Sequence, residues 1–293
     1  MHKSVLITGG SGFIGNHLIK FYLNKQYRVH VVTREKSKIE SELNIYTHIY
    51  DGTHQSLKSI KKITDFESTF HIAGLATYGC PIEQVDEMVD ANLRFGIHLL
   101  ETLKDTPCRN LINTGTYWQH YGNNENYNPV CLYAATKQAF EAIIEYYSQA
   151  YQFKVITLKL LDVYGPNDER QKLFQFLKNA MDTGKPLNMS KGDQLVDMVY
   201  IDDVINGYHI ANSTLINDKK IDGFHHAYFL ATNKPTTLKE IVKYYLQISK
   251  KEIDIVWGSI PYSERQILCP YIGELLPDWT PLVTLEEGIS KIV

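Results

Sequence analysis

Cysteine is scarce and dispersed, with four residues in 293, Cys80, Cys108, Cys131 and Cys269, and no C-x-x-C spacing. That pattern supports neither a disulfide framework nor a zinc site. The adjacent His225 and His226 would point to opposite faces of a strand, so they make a poor chelate and no metal is expected. Basic excess is absent too: 30 Lys and Arg against 33 Asp and Glu leave a net charge of -3. The charges are scattered, which excludes the basic footprint of a nucleic-acid binder. No apolar run exceeds strand length, and the N-terminus lacks the basic, apolar and small-residue succession of a secretory signal. A cytoplasmic chain with no membrane partner is the expectation. No Gly-, Pro- or Ser-rich linker, internal repeat or low-complexity tract divides it. Hydrophobic residues make up 44%, enough for a full core.

The apolar run Val5-Leu6-Ile7 leads into Thr8-Gly9-Gly10-Ser11-Gly12-Phe13-Ile14-Gly15 and then the helical pattern Leu18, Ile19, Tyr22, Leu23. A strand, a glycine turn and a helix in that order cradle a dinucleotide pyrophosphate. Gly9 makes the tight turn, Gly12 lets the backbone approach phosphate and Gly15 lets helix pack on strand, with the positive helix N-terminus facing the anion. Strand-like runs at Ser4–Ile7, Arg28–Val32, Ile45–Tyr50, Thr69–Ile72, Leu111–Asn113 and Val155–Leu160 alternate with helical patterns, notably Val85–Leu103 and Tyr133–Tyr151. The alternation predicts an α/β fold built on a doubly wound parallel sheet, with its ligand crevice at the carboxyl ends of the strands. After Gly165-Pro166 the pattern changes to a helix near Leu173–Thr183, a short strand near Asp197–Tyr200, a helix from Asp202 and mixed short elements.

Tyr133 and Lys137 stand four apart on one helix face. A neighbouring ammonium favours the phenolate and so lowers a Tyr pKa from its usual ~10, which suits the pair to acid/base work.

The glycine turn and Tyr133-x-x-x-Lys137 together resemble the extended short-chain dehydrogenase/reductase family: nucleotide-sugar epimerases, dehydratases and reductases. Further matches, in order, are Asp51, Phe70-His71-Ile72-Ala73-Gly74, Asn92, Asn113-Thr114-Gly115-Thr116, Val163-Tyr164-Gly165-Pro166, Asp197 to Val204 and the tail Pro277 to Ile289. The resemblance covers nearly the whole chain. It implies a Rossmann domain over 1–165 with parts of 195–232, and a small, intimately packed substrate-binding lobe over 166–194 and 233–293. It implies cofactor contacts from Gly9, Gly10, Ser11, Gly12, Phe13, Ile14, Gly15, Thr33, Arg34, Asp51, Gly52, Ala73, Gly74, Asn92, Thr114, Tyr133 and Lys137. Thr116, Tyr133 and Lys137 are the catalytic set, although the 17 residues from Thr116 to Tyr133 are fewer than the family pattern suggests. A homodimer pairing the Val85–Leu103 and Tyr133–Tyr151 helices is also implied.

The second strand ends Val31-Val32-Thr33-Arg34, followed by Glu35, Lys36 and Lys38. Thr33 stands where an acidic residue would accept the ribose hydroxyls of NAD, and Arg34 offers a planar fork for the 2′-phosphate of NADP. NADP(H) is therefore favoured, with NAD the alternative. Thr116 is followed by Tyr117 and Trp118 rather than by the Asp-Glu pair of the resembled dehydratases, and no cysteine lies between Cys108 and Cys131 for neighbouring-carbon epimerisation. These features point to NADPH-dependent reduction of the C4 keto group of a nucleoside-diphosphate 4-keto-6-deoxy sugar, as in the reductases that finish deoxysugars for surface polysaccharides. An NAD-dependent 4-epimerase is the alternative within enzymes, and a non-catalytic NADP-binding regulator the alternative outside them. Tyr78, Trp118, His120, Asp162 and Arg265, with Lys185 beside them, are the substrate-binding candidates.

Overall fold

The computed structural model describes residues 3–35, 39, 43–63, 65–217 and 225–293. Lys36 and Lys38 lie outside the described residues. Seven parallel strands form the central sheet in the order β11-β6-β5-β4-β1-β2-β3. They are β1 (Ser4–Thr8), β2 (Arg28–Thr33), β3 (Tyr46–Ile49), β4 (Phe66–His71), β5 (Asn110–Thr116), β6 (Lys154–Leu160) and β11 (His225–Leu230). The strand order reverses direction beside β1, between β1→β2→β3 on one side and β4→β5→β6 on the other, and a crevice opens at such a point. Helices α1 (Phe13–Asn24), α2 (Val85–Val89), α3 (Phe95–Leu103), α4 (Leu132–Tyr151) and α6 (Ile201–Ile216) cover the two faces.

The pleat explains the two-sided core. Val5 and Ile7 join a cluster with Leu18, Ile19 and Tyr22 of α1 and Tyr208 of α6. Leu6, between them in sequence, joins the opposite cluster with Leu99 and Leu103 of α3 and Phe140 and Ile144 of α4. A strand buried on both faces needs a continuous apolar run rather than alternation, and all three side chains are 0% exposed.

Three elements differ from expectation in ways that shape the cleft. Strand β5 runs on to Thr116, because its pairing with β6 continues through Thr116 and Leu160. The helix expected over 85–103 carries a wide π turn at Asp90–Arg94 between α2 and α3, the kind of bulge that re-aims a side chain, here Asn92. Strand β11 comes from the mixed region beyond α6 and pairs with β6 from His225↔Val155 to Leu230↔Leu160.

The remaining elements stand over the carboxyl end of the sheet. Strand β7 (Asp162–Tyr164) pairs with β10 (Met198–Tyr200), β8 (Leu187–Met189) with β13 (Ile255–Trp257), and β9 (Leu195–Val196) with β12 (Thr236–Thr237). Helices α5 (Leu173–Thr183), α7 (Leu238–Ser249) and α8 (Leu285–Ser290) complete this region. Asp203 ties the tail to α6: its carboxylate accepts the Leu282 and Val283 N–H groups at 3.0 Å, and its carbonyl accepts Trp279 Nε1–H at 2.9 Å. No helix among the described residues is long and apolar enough to cross a membrane.

Candidate active site

One cleft of about 1710 Å³ runs from the glycine turn, past the ends of β4 and β5, to α5. Its size exceeds the ~300–1,000 Å³ of a pocket for one small ligand, leaving room for two ligands end to end.

At the turn, Gly9 has φ +74°, and a Cβ there would press on the Ala73 backbone at 2.7 Å. A Cβ on Gly15 would strike the Gly9 carbonyl, so both positions require glycine for close approach. Helix α1 starts at Gly12 with no side-chain cap and no acidic residue in its first turn. Its first N–H groups therefore lack side-chain acceptors, and Gly9, Ser11, Gly12, Phe13, Ile14 and Gly15 line the cleft. This donor set at a positive helix end fits a dinucleotide diphosphate. Gly10 differs from expectation. It is buried, its Cβ position filled by Ile19 and Val31 at 2.7 Å, so its role is helix-to-strand packing.

The far wall at this end is formed by Thr33, Arg34, Asp51 and Gly52. Arg34 Nη1 donates to Glu87 Oε1 of α2 at 3.2 Å. Asp51 accepts both the N–H and the hydroxyl of Thr53, at 2.9 and 2.7 Å, and these bonds hold its carboxyl below the usual range.

Across the sheet, Ala73, Gly74, Thr114, Thr116, Tyr133 and Lys137 share the cleft wall. Thr8 organises the first of these segments. Its hydroxyl oxygen accepts the Ile72 and Ala73 N–H groups at 3.2 Å and lies 3.0 Å from His71 Nδ1. With both backbone donors accepted, the Thr8 hydrogen goes to Nδ1, leaving the His71 proton on Nε2. Burial, with Lys137 adding to it, lowers His71 to about 3 and keeps it neutral.

The two threonines of β5 are not equivalent. Thr114 donates to the His71 carbonyl at 3.0 Å and accepts from Tyr208 at 2.7 Å, so its hydrogen is committed. Thr116 accepts the Trp118 N–H at 3.3 Å and keeps its own hydrogen for the cleft. It caps a tight turn over Tyr117–Gln119. Tyr133 is half-buried near the start of α4, edge-on to Trp118 at 6.1 Å. Burial dominates the titration of both helix residues: it raises the Tyr133 phenol, with Cys131 adding to the rise, and lowers Lys137 to about 8 against the opposing pull of Glu141. Tyr133 is thus raised by burial, not lowered by Lys137 as their spacing suggested.

Several expected ligand contacts are corrected. Asn92 is 1% exposed and bonds both the N–H and the carbonyl of Leu75, at 2.8 and 3.1 Å, and Thr136 Oγ1 at 2.9 Å. It clamps the loop after β4 onto α4 instead of lining the cleft. His120 is buried, accepting from Lys159 Nζ at 2.8 Å, with its ring against Phe229 and Tyr271. Arg265 donates to Asn128 Oδ1 and the Pro129 carbonyl and lies over the Tyr121 ring, so it fastens the 121–130 loop. Neither Arg265 nor the exposed Lys185 is among the cleft residues.

Tyr78, Trp118 and Asp162 do line the cleft. Tyr78 donates to Ser263 Oγ at 2.6 Å and meets Trp118 edge-on at 5.7 Å; Asp162 accepts from Tyr117 at 2.8 Å. The cleft cations that sequence reasoning missed include Arg170, Lys172 and Lys178. Arg170 lies over the Phe13 ring at 4.5 Å and bonds Asp168 and the Val163 carbonyl, joining the glycine-turn helix to the loop after β7. The signal was Asp168-Glu169-Arg170, one residue beyond Val163-Tyr164-Gly165-Pro166. Among the described residues no group of three His, Cys, Asp or Glu is arranged to hold a metal ion.

A seven-stranded parallel sheet, an uncapped glycine turn and a Tyr-Lys pair opening into one cleft define an extended short-chain dehydrogenase/reductase. The chain belongs to the NAD dependent epimerase/dehydratase family, whose model matches residues 5–221. It is 28% identical over 273 residues to a CDP-abequose synthase of Yersinia pseudotuberculosis, spanning 91% of each chain. To a UDP-glucuronate 4-epimerase of Thermodesulfobacterium geofontis it is 24% identical, over 98% of this chain and 94% of that one. In structure it is similar to the Thermus thermophilus UDP-glucose 4-epimerase in complex with NAD, with TM-score 0.82, 21% identity, and coverage of 98% of this chain and 97% of the other.

Proposed function

We propose that the protein uses NADPH to reduce the C4 carbonyl of a nucleoside-diphosphate 4-keto-6-deoxy sugar. The observation that carries this reading is that Thr116, Tyr133 and Lys137 open into the same cleft as the uncapped N-terminus of α1. NADPH, when bound, supplies the hydride. Tyr133 donates the proton that converts the carbonyl oxygen to a hydroxyl, so carbon gains hydride, oxygen gains a proton and NADP⁺ is left. Thr116 donates its uncommitted hydrogen to that oxygen, polarising the carbonyl. Lys137 holds the nicotinamide ribose and favours the Tyr133 phenolate that remains after transfer.

Thr33 and Arg34 at the end of β2 support NADP over NAD. Tyr117 and Trp118 after Thr116 leave no acid-base pair there for dehydration. Lys172 and Lys178 supply charge for the substrate diphosphate, and Tyr78 with Trp118 gives an aromatic wall for the sugar. In this reading 166–194 and 233–293 form the substrate lobe, and the protein is a homodimer through the α2–α3 and α4 helices. The relative named CDP-abequose synthase supports a deoxysugar substrate.

A second reading, the NAD-dependent 4-epimerase, is favoured by one contact: Glu87 beside Arg34 brings a carboxylate to the β2 end, where NAD-binding folds carry an acid. NADPH absorbance decay with a panel of nucleotide-linked 4-keto-6-deoxysugars, NADH run alongside, separates the two. Consumption dependent on one ketosugar supports the reductase; no consumption, with NAD bound to the purified protein, supports the epimerase.

A further inference from the structure

Beneath the cleft, and outside the set that faces it, lies a buried polar network joining α4 to β5 and β6. Gln119 is 0% exposed, and Glu141 and Lys159 are each 6% exposed. Thr116 N–H donates to Gln119 Oε1 at 3.0 Å. Gln119 Nε2 donates to Glu141 Oε1 at 2.9 Å and to Gln138 Oε1 at 2.6 Å. The other Glu141 oxygen stands 3.9 Å from Lys159 Nζ, which donates to His120 Nε2 at 2.8 Å. Glu141 follows Lys137 by four residues, one turn along the same face of α4. Gly115 makes room for this assembly: a Cβ there would lie 3.1 Å from both Gln119 Oε1 and Glu141 Oε1 and 3.0 Å from Thr157 Cγ2.

We propose that Glu141 is a positioning residue: one turn from Lys137 on the same face of α4, its buried carboxylate supports the lysine from one side while anchoring, through Gln119, the backbone that presents Thr116 on the other. It touches none of the reacting groups that the proposed function assigns. A single carboxylate thereby links the acid/base helix to the strand end carrying the carbonyl donor.

The charge balance follows from the surroundings. Lys137 faces His71 from β4, which is neutral and offers no negative charge, so Glu141 is the group opposing its desolvation. Glu141 in turn faces Lys159 from β6, with His225 of β11 and His120 beyond, both held below the ordinary histidine value chiefly by burial. Lys159, lowered by burial but raised by Glu141, is the cation paired with the buried carboxylate on the sheet side. Leaving either partner alone in this setting is strongly unfavourable, which explains why the two occur together.

The inference rests on the proposed roles of Lys137 and Thr116, yet it is tested without turnover. The titration of Lys137 is followed by ¹³Cε-lysine NMR on the intact protein, its signal assigned by its loss in Lys137→Met. The native midpoint is expected at about 8. Glu141→Gln keeps the shape and removes the charge, and its midpoint is expected about one pH unit lower, as for loss of one nearby charge in a partly screened site. Glu141→Gln with Lys159→Met removes both buried charges, avoiding an unpaired ammonium, and shows a smaller displacement in the same direction, because the lost Lys159 ammonium also repelled Lys137. Glu141→Asp, which keeps the charge, restores the native midpoint in part. An unchanged Lys137 midpoint in whichever of the charge-removing variants folds overturns the proposal. A displaced midpoint in a protein that consumes no NADPH would leave the proposal standing and defeat only the reductase reading.

Discussion

The ammonium of Lys137 lies against Gly74, so closely that a methyl group on that glycine would sit 3.1 Å from Nζ and 3.0 Å from Asn92 Oδ1. The loop after β4 and the face of α4 are thus fitted through a residue without a side chain. Gly74→Ala is expected to displace the lysine head or the Asn92 clamp and to reduce kcat by about tenfold, roughly 1.4 kcal/mol of barrier. Steady-state kinetics beside a thermal melt makes the test, and native turnover in the variant would show that the contact is slack.

Tyr133→Phe removes the proposed proton donor and Thr116→Val the carbonyl donor. A positioned acid contributes about 10²–10⁴-fold, so Tyr133→Phe should lower kcat by that range with little change in cofactor affinity. Thr116→Val should lower kcat while preserving the fold. A Tyr133→Phe protein with near-native turnover would exclude Tyr133 as the acid.

Arg34→Ala should weaken NADPH relative to NADH, since it removes a guanidinium fork at the end of β2, and Glu87→Gln should move selectivity the other way by freeing that fork. Charge-assisted bonds contribute about 1.5–3 kcal/mol, so a change of at least tenfold in the ratio of kcat/KM is expected. Equal ratios in native and Arg34→Ala protein would assign the basic residue to the surface.

Lys137 sits at about 8 in the folded protein, below its ordinary 10.5. Between these values the unfolded chain binds the extra proton, so this group's contribution makes stability rise as pH increases from about 8 to 10.5. The difference in unfolding free energy between native protein and Lys137→Met should move in favour of native by roughly 3 kcal/mol across that window. Activity moves oppositely: if the charged amine is needed, kcat falls as pH rises through about 8. Denaturant titrations and rate profiles at matched pH make the two checks.

Gly15→Ala drives a methyl group into the Gly9 carbonyl, a backbone atom that cannot step aside. Loss of dinucleotide binding and destabilisation of about 1–3 kcal/mol are expected, read by fluorescence titration and by the melting temperature. Wild-type binding in this variant would mean that the turn relaxes more than its packing suggests.

Local chemistry determined the alternation of buried strands and amphipathic helices, the glycine turn and the Tyr133–Lys137 face, because each is a pattern within a few consecutive residues. The apolar run at 5–7 reads as a strand buried on both sides, and the four-residue spacing puts two side chains on one helix face wherever that helix goes. Tertiary structure alone decided which polar residues reach the cleft. Asn92, His120 and Arg265 carry the right chemistry for ligands, yet each is occupied by protein partners that come from 17 to 137 residues away. Arg170, Lys172 and Lys178 stand in the cleft because the loop after β7 and helix α5 fold over the carboxyl end of the sheet. The resemblance already pointed to Thr116 over Thr114, but the physical difference between the two hydroxyls comes from Tyr208, a residue of α6, which bonds Thr114. Side-chain hydrogen bonding across such separations leaves no periodic trace in a single sequence, so it becomes legible only when the strands are set side by side.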